Sequence, residues 1–243
     1  MLLSTPGLVL HTTPYAESSV VAKVFTRQLG VRSYIIKGVR GRSGRVKQNL
    51  LQPLSSLDMV VYDNHRKDLN YIKELVPRHP QQSSEPVYNA LRFFMTEVLY
   101  KALREEEPMQ DLWDYVENGD WGVTSGEWRV AEVPIVFLLK VAHYMGIKPL
   151  DNYSLQSRYF CLEEGRYVSA PNETTLPESL SETLHCYLEG TSEQPSRNQG
   201  VTSVTSRRER TDMVNALIAY FQMHLSGFRN FKSHEILHGV LSD

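Results

Sequence analysis

Between Glu17 and Asp58 the chain contains no aspartate and no glutamate. The same stretch holds eight basic residues: Lys23, Arg27, Arg32, Lys37, Arg40, Arg42, Arg45 and Lys47. Ser18 to Leu57 therefore carries +8 in a protein whose net charge is −2, which leaves −10 for the remainder. An ordinary solvated face mixes signs. Complete segregation of this kind acts as a field and points to a polyanion, with DNA or RNA first among them. Cysteine is scarce as well. Cys161 and Cys186 stand alone with no CxxC near either, which argues against a disulfide scaffold and a four-thiolate zinc site and fits a reducing compartment.

Long apolar runs are missing too. Nothing approaches the roughly 18 residues of a membrane-spanning helix, and the opening MLLSTPGLVLHTTPY has neither a basic leader nor a small-residue cleavage site. The expectation is a soluble, untargeted, cytoplasmic protein with no membrane association. Catalytic signatures are equally sparse. There is no G-x-S-x-G and no phosphate loop of the G-x-x-x-x-G-K-[ST] form. Acidic groups such as Glu163-Glu164 and Glu105 to Glu107 read as turns and helix ends. No enzyme, no cofactor and no use of ATP are expected.

What is present divides into two parts. From Gly7 to about Val76 short apolar runs alternate with period 2: GLVLHTT, SVVAKVFTR, RSYIIKG, LLQPLSSLDMVVY and DLNYIKELV. Turn residues separate them, and no helical period intervenes. Five short strands in about 70 residues predict a small closed barrel of the oligonucleotide/oligosaccharide-binding (OB) type, with an SH3-like barrel as the alternative. After the proline-bracketed PRHPQQSSEP (77–86) the period changes to 3.6. Helices are predicted over 85–107, 109–117, 132–145, 177–188, 208–225 and 233–241, with a hairpin-like insert at 159–171 and an exposed loop at 190–206. The fold class is thus α+β: a barrel domain over 1–78 and an α-helical bundle domain over 79–243.

Binding of nucleic acid by a small barrel needs cations for phosphates and aromatic faces for bases. Alternation along the second strand puts Lys23, Phe25 and Arg27 on one face, and Arg32 and Tyr34 share a face on the next, with Lys37 opposite. The turn from Gly38 to Lys47 alternates glycine with Arg40, Arg42 and Arg45, a loop able to follow a phosphate backbone with forked donors. The predicted DNA-binding set is Lys23, Arg27, Arg32, Tyr34, Lys37, Arg40, Arg42, Arg45 and Lys47, with Phe25 read as core. No recognition helix or zinc finger accompanies it, so binding without sequence specificity is expected. An RNA-binding OB module is the competing reading.

Several segments carry a family resemblance: Gly7-Leu-Val-Leu10, Tyr15-Ala-Glu-Ser18 leading into Val20 to Phe25, Gly30, Ile36-Lys-Gly-Val-Arg40 before the basic loop, and Leu51-Gln-Pro-Leu54. In this order the first 80 residues or so resemble the N-terminal domain of RecO, a bacterial recombination mediator and DNA-repair family. Leu225-Ser-Gly-Phe228 and Ser233-His-Glu-Ile-Leu237 are similar to the closing segment of that family. The resemblance implies an OB-fold before a helical domain, binding of single- and double-stranded DNA, annealing of complementary strands, and help in loading recombinase on DNA coated by single-strand-binding protein. The implied partners are recombination protein R and the acidic C-terminal tail of the single-strand-binding protein, and the implied location is cytoplasmic, at the nucleoid during repair. Many members carry a four-cysteine zinc site in the second domain. With only Cys161 and Cys186, no metal is expected here, and packing around Phe160, Leu162 and Tyr167 is expected to replace it.

Two further patterns remain. His234-Glu-Ile-Leu-His238 spells H-E-x-x-H, the zinc metalloprotease pattern. No third ligand follows in Gly239 to Asp243, and the expected role is ordinary packing of a terminal helix through Ile236, Leu237, Val240 and Leu241. Near the end of the chain Arg207, Arg208 and Arg210, then Arg229 and Lys232 beside Phe228 and Phe231, could receive an acidic, apolar-ended peptide. Arg208, Arg229 and Lys232 are the candidate partner-binding residues.

Overall fold

The computed structural model describes residues 2–39, 49–64, 67–79, 85–119, 128–191 and 205–240. Five strands, β1 (Leu2–Tyr15), β2 (Ser19–Thr26), β3 (Gly30–Ile36), β4 (Ser56–Tyr62) and β5 (Leu69–Pro77), close into a barrel in the order β1-β2-β3-β5-β4. The β3–β5 pairing is parallel and the others are antiparallel. This is the OB-type arrangement expected from the period-2 runs. The long β1 makes closure possible, because its first half pairs with β4 and its second with β2. Gly7 sits where the two halves meet. A Cβ there would lie 2.5 Å from Val24 Cγ1 and 2.6 Å from Met59 Cε, so only glycine lets the strand pass this close to the core.

The barrel interior is filled by alternate residues: Val20, Ala22 and Val24 of β2, Tyr34 and Ile36 of β3, and Leu57, Met59 and Val61 of β4. On β5 the alternation breaks. Val61 pairs with Ile72 and Val60 with Glu74, so Lys73 is an extra, unpaired residue. This bulge keeps Ile72 and Leu75, three apart, packed against the core while Tyr71, Lys73 and Glu74 stay exposed.

Two helices follow, α1 (Pro86–Ala102) and α2 (Gln110–Asn118). Pro86 opens α1, where its missing N–H costs nothing. The stripe of Leu91, Phe94, Met95, Val98, Leu99 and Ala102 is buried. Gly119 (φ +65) closes α2 in the left-handed conformation. The chain divides into two compact units, 1–119 and 120–243. Both helices therefore belong with the barrel, although the composition break near residue 78 had set the domain boundary there. That break marks the switch of periodicity, whereas burial of Trp113, whose Nε1 donates to Phe25 O at 3.0 Å, ties α2 to β2.

The second unit contains α3 (Val133–Tyr144), the hairpin β6 (Tyr159–Cys161) and β7 (Arg166–Val168), α4 (Glu178–Gly190), α5 (Arg207–His224) and α6 (Ser233–Val240). Every apolar residue of α3 from Val133 to Ala142 is buried, as an almost wholly apolar helix requires. A capping box starts α5: Ser206 Oγ accepts from Glu209 N at 3.2 Å, and Glu209 Oε2 accepts from Ser206 N at 2.7 Å. Most of the loop predicted for 190–206 lies outside the described residues. No described helix is long and apolar enough to cross a membrane.

Candidate nucleic-acid interface

The pleat does place Lys23 and Phe25 on the outer face of β2, with Arg27 one residue past its end, but α1, α2 and the segment between them pack against that side. Phe25 is fully buried, as expected for a core residue. Lys23 Nζ lies 2.7 Å from Glu105 Oε1 and 5.1 Å from the centre of the Tyr100 ring. Arg27 makes a two-pronged contact with Asp114, Nε to Oδ1 at 2.7 Å and Nη2 to Oδ2 at 2.8 Å. This fork raises the Arg27 pKa and holds the Asp114 carboxyl below its usual range. Arg32, only 5% exposed, pairs with Glu106. Tyr34 is completely buried in the barrel core, where burial and the Asp63 charge push its hydroxyl pKa up. Of the predicted DNA-facing set, Arg32 and Tyr34 are thus buried, while Lys23 and Arg27 are half-buried and held in ion pairs within the same unit.

Backbone geometry places the carboxylates. Gly30 (φ +67) leaves room for the main chain of Glu107, which a Cβ at position 30 would meet at 2.5 Å. Val31 O accepts from Glu106 N at 3.1 Å and Val31 bridges to Glu105, so the acidic run is laid along the start of β3. A fourth acid-base contact joins β4 to α2, where Arg78 reaches both Asp58 and Glu117 at 2.8 and 2.9 Å.

Lys37 has a different setting. It follows β3 at the barrel mouth, with Nζ 5.1 Å from the centre of the Tyr71 ring. The two lie in a groove of about 420 Å³ lined by Ile36, Lys37, Tyr62, Tyr71, Ile72, Lys73 and Leu75. Tyr62 and Tyr71 are directly paired across β4 and β5 and are 51% and 42% exposed. Opposed residues of this kind bring side chains side by side on one face. Neither tyrosine was singled out from sequence. The available signal was an aromatic at the outward-facing end of each run flanking the Asp63-Asn64 turn. Arg40, Arg42, Arg45 and Lys47 lie outside the described residues.

In the second unit Phe228 and Phe231 are core: their rings stack at 5.2 Å and both are buried, so they form no open slot for a peptide. Arg229 and Lys232 are exposed beside them, and the Arg208 side chain is 91% exposed with Asp212 at 3.8 Å. His234 stacks on Phe231 at 5.6 Å. Leu237 is buried, but Ile236 is 57% exposed and does not pack the helix as expected, while the His238 side chain lies outside the described residues. Among the described residues no group of three or more metal-binding side chains comes together. Buried Phe160 and Tyr167 meet edge to face at 5.1 Å, with Leu162 half-buried. Cys161 Sγ is 3.3 Å from Thr174 Oγ1 and 3.8 Å from Asn172 Nδ2.

A closed OB-type barrel with a lysine- and tyrosine-lined mouth, followed by a helical unit, defines the class of protein. Comparison with known proteins narrows it. The family described as Recombination protein O N terminal matches residues 1–80. DNA repair protein RecO of Porphyromonas gingivalis is 30% identical over 243 residues, covering 98% of both chains. Proteins of the same name from Christiangramia forsetii and Phocaeicola vulgatus are 28% and 26% identical over 99% and 100% of both chains. The chain belongs to the RecO family of DNA repair proteins.

Proposed function

We propose that this protein is a DNA repair and homologous recombination mediator that binds single- and double-stranded DNA without sequence specificity, anneals complementary strands and assists loading of recombinase on DNA coated by single-strand-binding protein. The observation that carries this reading is the segregation of charge in the barrel's sequence, eight cations and no carboxylate between Glu17 and Asp58. Lys23, Arg27 and Arg32 stand beside carboxylates, and Lys37, Arg40, Arg42, Arg45 and Lys47 follow them within eleven residues of sequence that hold no acid. Such a cluster neutralises phosphates and leaves base identity unread. Family membership supports the repair role. Its work is to hold two strands, or a strand and a protein, together, with recombination protein R and the acidic tail of single-strand-binding protein as partners. The exposed Arg208, Arg229 and Lys232 offer charge to that tail.

Annealing of complementary oligonucleotides, bare and coated with single-strand-binding protein, tests the proposal. The protein should accelerate duplex formation on both substrates. Annealing at the spontaneous rate on both would overturn it.

A further inference from the structure

We infer that the groove framed by Tyr62 and Tyr71 is a base-stacking subsite for single-stranded DNA, with Lys37 and Lys73 holding the adjoining phosphates. The inference rests on the proposed DNA binding and assigns it a specific place on the barrel. Two large aromatic side chains stand opposite each other on neighbouring strands, about half exposed, where burial would ordinarily claim them. Ile72 and Leu75 form an apolar floor between them and the core. A free base has an apolar π-face and needs such a platform, whereas a duplex keeps its bases stacked on one another.

Charge identifies the occupant. Lys37, just past β3, reaches over Tyr71, and the bulge at Lys73 adds a second ammonium to the groove, with Glu74 3.2 Å from Lys73. The sequence after Lys37 continues into Arg40, Arg42, Arg45 and Lys47. An uncharged ligand would have no use for the two ammonium groups, Lys37 and Lys73, that line the groove beside the rings. A single strand uses both.

Anisotropy titrations with a labelled oligothymidine, a fully abasic strand of equal length and a blunt duplex test the assignment on the full-length protein. Tyr62→Leu/Tyr71→Leu keeps apolar bulk but removes both rings, and Tyr62→Phe/Tyr71→Phe keeps the rings. The leucine pair should bind oligothymidine about 25-fold or more weakly, from roughly 5-fold or more for each of the two lost stacking contacts, with an unchanged salt slope. The phenylalanine pair should bind like wild type. Abasic strand and duplex should bind all three proteins equally. If wild type binds oligothymidine with a salt-dependent affinity and the leucine pair matches it, the groove assignment is refuted and phosphate contacts alone remain. If wild type binds none of the three, the DNA-binding reading itself fails. Thermal melts of the variants check that the fold is intact, which the exposure of both side chains favours.

Discussion

Replacing Arg27 and its partner Asp114 together by neutral residues should leave DNA binding intact, whereas replacing Lys37 should weaken it and flatten its salt dependence. Each phosphate contact to a single strand contributes about 0.7 to the slope of log affinity against log salt. Had all eight cations of the acid-free stretch faced phosphates, the slope would reach about −5.6, and affinity would fall roughly 2,000-fold between about 50 and 200 mM salt. The structure assigns Lys23, Arg27 and Arg32 to Glu105, Asp114 and Glu106. Five contacts are then the ceiling for the stretch, with a slope no steeper than about −3.5 and a fall of roughly 100-fold. Lys37→Gln should reduce the slope by about 0.7. Arg27→Gln leaves Asp114 uncompensated, and its charge acts over roughly 10 Å at 0.1 M salt. The neutral pair Arg27→Gln/Asp114→Asn is therefore the cleaner variant, and its slope should equal that of wild type. Anisotropy with a labelled oligonucleotide at several salt concentrations reads all three. A slope in the neutral pair reduced as much as in Lys37→Gln would refute the assignment of Arg27 to internal pairing.

Two further outcomes follow from the same face. Gly30→Ala should destabilise the first unit, because φ is +67 and the new methyl would meet main-chain atoms of Glu107 at 2.5 to 2.7 Å. The backbone cost alone is about 1–2 kcal/mol, and an unchanged urea midpoint would contradict it. Stability should also fall in acid through Asp114. Its carboxyl pKa is lowered by the Arg27 hydrogen bond, so its contribution is complete above the ordinary aspartate range near pH 4 and lost as pH drops through the lowered value. Urea midpoints measured against pH should show this acid limb in wild type and a shallower one in Arg27→Gln.

The barrel was legible because its strands are half-buried and their alternation survives in the sequence. Val20, Ala22 and Val24 against Lys23 is a pattern that only a pleated wall explains. What covers the outer face was not legible. Glu105, Glu106 and Asp114 lie some 70 to 90 residues from their partners, and no local rule joins Arg27 to Asp114. Outward on a barrel was read as open to solvent, when here it means facing α2. Tyr34 was ambiguous for the same reason, since parity assigns a residue to one of two faces without saying which is the inside. Tyr62 and Tyr71 escaped because no local rule joins the last residue of β4 to the third of β5 as a pair on the outer face, and the bulge at Lys73 disturbs the count along β5.

That surplus residue has a wider implication. Lys73 has no opposite number in the β4–β5 register and its side chain points away from the core, so that side chain does not decide which residues line the interior. Charge beside the paired tyrosines is thereby uncoupled from the architecture that presents them.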